Sequence, residues 1–404
     1  MSLLHKHAIP PIPKPIAMPV TVNGAAMAAV ILGVASLGWA FLREESHLAW
    51  SAYLIGMFFA LGLGVFGVAW LAILNLARGE WSVTMRRIPE AMTAWLLPGA
   101  VFTMLVGLGA SSLYHWSHAD LVAEDPLLQH KAPFLNLTMF HVLIGVSLAV
   151  WIVFAAMIVG NSLRQDREGG ISSSRTNNTL SAVFLVLFAL SLSVVSFYLL
   201  LSLEAHWFST MFAVLVFTDI VQTGTAFVAI AAGLLMIAGH LEGFVNENHL
   251  HSLGKMVFAS TGFWAYIYFC QFMLIWYANI PEETIYFIRR SEHGWQTYLL
   301  ILPLLKFVVP FLLLIPRGVK RNPRKLVPVA ALILFAQFWE LYLMVGPAVG
   351  HGAHPAPAHL PILEFGSTIG FLGLFTLVFG WSFSRHSPVP LKDPALAACL
   401  DYQS

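Results

Sequence analysis

The sequence predicts an all-α polytopic membrane protein of about ten transmembrane helices, arranged as two four-helix bundles with two flanking helices. Three observations carry that expectation. Ten apolar stretches reach or nearly reach bilayer-spanning length, the basic residues alternate from connection to connection, and a faint repeat relates the second stretch to the sixth. Hydrophobic residues make up 58% of the 404-residue chain and charged residues 10%, which is a membrane composition. A net charge of +1 leaves no basic domain for nucleic acid. No connection is long enough to fold as a separate soluble domain.

Crossing ~30 Å of hydrocarbon takes about 20 helical residues. The first stretch, 24–42, follows a leader with five prolines in its 22 residues and has no clear small-residue cleavage site, so it reads as a signal anchor. The second, 49–76, repeats Gly56, Ala60 and Gly64 every fourth residue and adds Gly67, a pattern for close helix packing. The third, 91–114, follows the basic pair Arg86 and Arg87, and the fourth, 135–161, contains His141. Ser191, Ser193 and Ser196 mark the fifth, 179–203. The sixth, 208–238, carries Asp219, Gln222 and Thr223 on one face, followed by the small residues Ala226, Ala229 and Gly233. The seventh, 255–279, ends in Trp276 and Tyr277; the eighth, 296–315, sets Lys306 between Pro303 and Pro310. The ninth, 326–346, carries Gln337 and Glu340, and the tenth is 363–382. Trp276, Tyr277, Trp339 and Tyr342 read as interfacial anchors.

With the N-terminus in the cytoplasm, every Lys and Arg falls on that side except Arg43, Lys131, Arg289, Arg290 and the membrane-embedded Lys306. A bias of this size sets orientation and puts both termini in the cytoplasm. The longer connections are expected at 115–134, 162–178, 239–254, 280–295 and 347–362. His47 to Ser51 resembles His206 to Ser209, and pairing Ser51 with Ser209 also pairs Phe59 with Phe217. Four helices separate the two segments, so the repeat is parallel. The chain is thus read as one integral membrane domain, 1–404, with bundles over 49–203 and 208–346 and spans 1 and 10 outside them.

Cys270 and Cys399 are the only cysteines, too few to ligate an iron–sulfur cluster or a structural zinc, and there is no c-type haem attachment motif. Only His141 of the 16 histidines lies clearly inside a stretch, so no facing pair is expected for b-type haem. His351, His354 and His359 could suggest a metal, but their prolines and the lack of acidic neighbours favour a loop that touches a partner. The chain is therefore expected to bind no metal and no covalent cofactor.

An ionisable group at membrane depth costs about 2.5 kcal/mol or more and is a functional candidate. His141, Asp219, Lys306 and Glu340 qualify, with Gln222 and Gln337 one turn from the carboxylates. Asp219 and Lys306 lie roughly 15 Å in from the outer boundary, His141 and Glu340 ~9 Å. The set could form a stepped path for protons or a quinone head group. Prolines flanking Lys306 leave carbonyls that an ammonium or water could satisfy. The alternative is buried ion pairing of Lys306 with Asp219 or Glu340 that only fixes helix register. Glu242, Glu247, His249 and His251 are candidates for the inner mouth, though such residues in an exposed loop are usually only solvated.

The segments Gly79 to Met92, Glu204 to Phe212, Gln271 to Thr284, Lys306 to Arg317 and Lys320 to Arg324 resemble the ActF subunits of bacterial alternative complex III, within the wider class of NrfD-like and polysulfide-reductase-type membrane subunits. The run Trp276-Tyr-Ala-Asn-Ile-Pro-Glu-Glu-Thr284 is its most specific part, and the likeness covers about 47–346. It implies two four-helix bundles flanked by extra helices in a bacterial cytoplasmic (inner) membrane. It also implies membership of a quinol:electron-acceptor oxidoreductase of the cytochrome c type. The partners so implied are an ActC-like NrfD subunit, an iron–sulfur subunit and c-type cytochrome subunits, with lipid around them, quinol or menaquinol as the diffusible ligand, and haem and clusters held by the partners. For this subunit type a proton half-channel is the usual suggestion. Asp219 lies outside the segments that carry the likeness. Two other classes compete: a stand-alone ion or solute transporter, and a purely structural anchor for redox subunits.

Overall fold

A computed structural model describes residues 13–43, 45–349 and 357–403. Every regular element among them is helical, and ten helices are long and apolar enough to cross a membrane. They are α1 Val20–Leu42, α2 Ser46–Leu76, α3 Arg87–Leu113, α4 Leu137–Glu168, α5 Ser172–Leu199, α6 Phe212–Ile237, α7 Glu247–Ala278, α8 Trp295–Leu314, α9 Pro323–Ala348 and α10 Ile362–Phe383. With an even number of such helices, the start of α1 and the end of α10 fall at one end of the bundle, called here the termini face.

The helices outrun the apolar stretches that announce them. Much of 162–178 and 239–254, expected as connections, is helical, because caps and turn-spanning side chains satisfy the exposed backbone. Asn246 caps α7 by accepting from the amides of Asn248 and His249, at 2.8 and 3.2 Å, while His249 Nδ1 accepts from Asn246 N–H at 3.1 Å. Gln165 Nε2 closes the α4–α5 turn by donating to Gly170 O and Ser174 Oγ, both at 2.8 Å. His249 is consequently buried, whereas Glu242 and Glu247 are exposed.

α2 is apolar all round and sits at the centre, packed against α1, α3, α5, α6, α9 and α10. Its glycines admit those neighbours. A Cβ on Gly56 would meet Phe371 and Ser367 of α10, and one on Gly67 would lie 2.7 Å from Pro89 O of α3. Helices α2 to α5 form a ring of contacts, 2 to 3, 3 to 4, 4 to 5 and 5 to 2, and α6 to α9 form the corresponding ring. The two quartets meet where α2 packs on α6. Outside them α1 crosses α10 so closely that a Cβ on Gly33 would lie 2.5 Å from the Cα of Gly370, a small-residue crossing.

Two expected roles change. Trp276 and Tyr277 are exposed, as interfacial anchors should be, but Tyr342 is fully buried and Trp339 is half-buried. Their polar tips turn inward: Tyr342 O–H donates to His359 O at 2.7 Å and Trp339 Nε1 to Tyr298 O at 3.0 Å. His359 is pinned through its carbonyl, which also accepts from Tyr298 O–H at 2.8 Å, while His351 and His354 lie outside the described residues, as does Lys6. The C-terminal segment packs on the termini face, with Asp393 paired to Arg86, Leu391 N–H donating to Asp166 Oδ1 at 3.0 Å, and Cys399 buried beside His249.

Candidate functional site

Lys306 occupies a widened, π-helical turn, Leu304–Val308, in the middle of α8. Its flanking prolines explain the local geometry. Pro310 has no N–H to offer the carbonyl four residues back, which is that of Lys306. Gln222 Nε2, from α6, supplies the missing donor to Lys306 O at 2.9 Å. Such a turn re-aims a side chain and often marks a functional position.

The Lys306 side chain is fully buried, and its ammonium has three donors and three partners. Nζ lies 2.6 Å from Asp219 Oδ1 and 2.6 Å from Gln337 Oε1, and it also binds the Glu340 carboxylate. Three helices of the second quartet therefore meet on one nitrogen. Around this centre Trp264 Nε1 donates to Glu340 Oε1 at 3.1 Å, and Thr223 Oγ1 donates to Gln337 Oε1 at 3.0 Å. The Trp264 ring lies 5.0 Å from Nζ. Towards the termini face the polar contacts continue from Gln222 to Thr261, 3.2 Å, and between Thr225 and Ser260, 3.2 Å. Gln222 Oε1 is buried without a hydrogen-bond partner in the protein.

Of the residues singled out by sequence, the structure brings together Asp219, Gln222, Lys306, Gln337 and Glu340. His141 stands apart: its Nδ1 pairs with Leu137 O at 2.7 Å, and its ring rests on Gly107 of α3, within the first quartet. A Cβ on Gly107 would lie 2.3 Å from His141 Nε2, so the absent side chain makes room for the imidazole.

Another buried ion pair was not foreseen. Arg290, at the end of the short helix Pro281–Arg289, donates from Nη1 to Glu204 Oε1 at 2.7 Å and to Tyr286 O at 2.9 Å. It also donates to Leu343 O at 3.0 Å and Met344 O at 2.8 Å, and its guanidinium stacks over the Tyr286 ring at 3.5 Å. Burial pushes the Tyr286 phenol above its ordinary value. Among the described residues no group of three or more His, Cys, Asp and Glu could hold a metal ion.

Beside the cluster, α7 and α8 leave a groove of about 610 Å³ lined by Trp264, Tyr268, Phe269, Phe272, Phe307 and Phe311 among others. Trp264 forms the shared wall between groove and ions. Comparison of the chain with known proteins finds no matching family model and no matching curated protein.

Proposed function

We propose that this chain is a non-haem membrane subunit of a quinol-oxidising respiratory complex of the alternative complex III kind, in which the Lys306 cluster is the intramembrane station of a proton half-channel. The assembly part of the reading rests on the segments that resemble ActF. The proton part rests on one observation: two carboxylates and one ammonium share a site sealed from solvent. Fully ionised, that site holds one negative charge in excess, at high cost inside a membrane. One added proton removes the excess, and strong coupling lets Asp219 and Glu340 share it across Lys306. The cluster then gains and loses a proton by small movements among atoms already in hydrogen-bond contact.

In this reading the partners hold haem and iron–sulfur clusters and this chain holds none. Both termini face the cytoplasm of a bacterial inner membrane, by the distribution of Lys and Arg. Quinol contacts, where this subunit makes them, are nearest the cluster at the α7–α8 groove, with Trp264 between head group and ions.

The test is proton release per quinol oxidised, measured on the assembled complex in vesicles. Lys306→Met should lower the ratio while haem and iron–sulfur partners still copurify. An unchanged ratio would reduce the cluster to a structural ion pair. A preparation that carries no redox partner yet moves an ion by itself would favour the stand-alone transporter.

A further inference from the structure

The α7–α8 groove runs down to a basic segment at the termini face. On α7, Lys255, Phe258, Gly262, Ala265, Phe269 and Phe272 recur every three or four residues and so share one helix face. From Gly262 onward that face lines the groove, and Lys255 lies two helical turns nearer the termini face, roughly 10 Å from Gly262. On α8 the facing wall is Pro303, Phe307 and Phe311, after which the helix stops at Leu314 and the chain turns through Pro316 into the short helix Arg317–Arg321. Between Glu292 and Glu340 the sequence holds Arg317, Lys320, Arg321, Arg324 and Lys325 besides Lys306, and no Asp or Glu.

Contacts fix where these cations stand. Arg321 Nη2 donates to Asn248 Oδ1 at 2.6 Å at the start of α7, and a Cβ on Gly254 would meet the Lys320 side chain at 2.8 Å. The short helix therefore runs antiparallel to α7 and carries Arg317, one turn before Lys320, toward the level of Lys255 and Phe258. Lys320 Nζ donates to Leu314 O and Ile315 O and lies 5.4 Å from the Phe258 ring, which stacks on Phe311 at 4.6 Å. One file of contacts thus joins the basic segment to the foot of the groove. Lys255 and Arg317 are both exposed there. Lys255 forms no ion pair with a carboxylate among the described residues, whereas Arg86 and Arg87, at the same face of the first quartet, are paired with Asp393 and with Glu90 and Asp166.

We propose that groove and cations form one site for an anionic phospholipid of the leaflet at the termini face, with an acyl chain against Gly262, Phe269, Phe307 and Phe311 and the phosphate on Lys255 and Arg317. The groove volume of about 610 Å³ lies within the ~300–1,000 Å³ range of ligand sites. Charge selects the occupant. A guanidinium and an ammonium at the membrane boundary bind phosphate oxygens through charge-assisted hydrogen bonds, and they favour anionic over neutral head groups. A neutral quinol gains nothing from those cations, and Trp264 Nε1, on the groove wall, already donates to Glu340. Gly262 keeps the middle of the groove open: a Cβ there would meet no protein atom within 4 Å, unlike one on Gly254. The proposal does not depend on the proton reading of the cluster.

Photolabelling of the assembled complex in phosphatidylcholine vesicles tests the site, with trace phosphatidylglycerol or trace phosphatidylcholine carrying the same diazirine acyl chain. Peptides covering 262–272 and 303–311 should take more label from phosphatidylglycerol than from phosphatidylcholine. The exposed face of α5 at Val183, Val186 and Leu190 should label equally with both. Lys255→Gln and Arg317→Gln should each lower the preference about fivefold. Gly262→Phe, which fills the groove and leaves both cations in place, should lower groove labelling by either lipid. Equal labelling by the two lipids in the unaltered complex, or a preference that survives in the double variant Lys255→Gln/Arg317→Gln, overturns the site. Displacement of the phosphatidylglycerol label by an equal amount of menaquinol would overturn it as well and give the groove to quinol.

Discussion

The two quartets share one pattern of helix contacts and fill their centres in opposite ways. In α2 to α5 the interior is aromatic and neutral: Trp95 stacks on Phe102 at 6.0 Å and Gly64 lies under Trp95. Tyr53 O–H donates to Phe102 O at 2.9 Å and Trp151 Nε1 to Ser191 Oγ at 2.7 Å. The ions of that half, Arg87 with Glu90 and Asp166, join the start of α3 to the end of α4, both at the termini face. In α6 to α9 the ions lie mid-helix. Pairing Ser51 with Ser209 places Asp219 opposite Leu61, a buried leucine. The same frame therefore closes over hydrocarbon as well as over charge. Since apolar packing of equal volume usually stabilises at least as well as a buried ion pair, holding four helices together does not explain Lys306.

The comparison is broken or upheld first at the cluster. Lys306→Met strips two carboxylates of their cation and is expected to cost about 3–5 kcal/mol. Adding Asp219→Leu and Glu340→Met makes the second centre resemble the first and should restore most of that stability, with proton release still lost. Thermal unfolding of the assembled complex in detergent measures both. A triple variant as unstable as the single one would mean that the cluster is scaffold after all.

At the ion site of the first quartet the expectation reverses. Arg87 is buried between Glu90 and Asp166, so Arg87→Met should destabilise by about 2 kcal/mol, less than Lys306→Met because Asp166 is partly exposed. Proton release should stay as in the unaltered chain. A drop in that ratio at unchanged assembly would extend the proton path into the first quartet.

How much of this was legible in the sequence follows from what each residue costs. Ten helices were readable because only long apolar runs satisfy a bilayer, and Asp219, Lys306 and Glu340 stood out because charge at that depth needs a reason. Gln222 and Gln337 followed from spacing on their helices. The Glu204–Arg290 pair was invisible because both lie at helix ends, where charge is ordinary, and because 86 residues of chain separate partners that only folding brings together. His141 stands apart from the cluster because a backbone carbonyl on its own helix and a facing glycine of α3 accommodate its ring. Tyr342 looked like an anchor until the fold turned its hydroxyl toward His359.

The crossing of α1 and α10 sharpens the comparison from outside both quartets, because α10 leans on α2 and so on the first half. A side chain at Gly33 must displace the Gly370 backbone, and Gly33→Val is expected to cost about 1–3 kcal/mol. Hydrogen exchange should rise in α1 and α10 and remain unchanged in α8. Faster exchange around Lys306 would show that the two halves are not mechanically separate.

The smallest effect concerns the tether between α10 and the second quartet. His359 is held by its carbonyl, which accepts from Tyr298 and Tyr342, and by Nε2, which lies 3.0 Å from Glu364 Oε1. The hydrogen bond to Glu364 raises the His359 pKa above the ordinary imidazole value, against a smaller opposing effect of burial. A raised value means that folding favours the protonated ring. Its contribution is therefore complete below the unfolded value of about 6.5 and is lost as pH rises through the higher folded value. The side chain is 40% exposed, so solvent screening limits the gain to about 0.5 kcal/mol. The melting temperature of the unaltered chain should exceed that of His359→Gln at pH 6, and the gap should close in alkaline buffer. A gap that widens with pH would mean that neutral His359, gripped through its carbonyl alone, is the stabilising form, and that α10 is joined to the second quartet by backbone and not by charge.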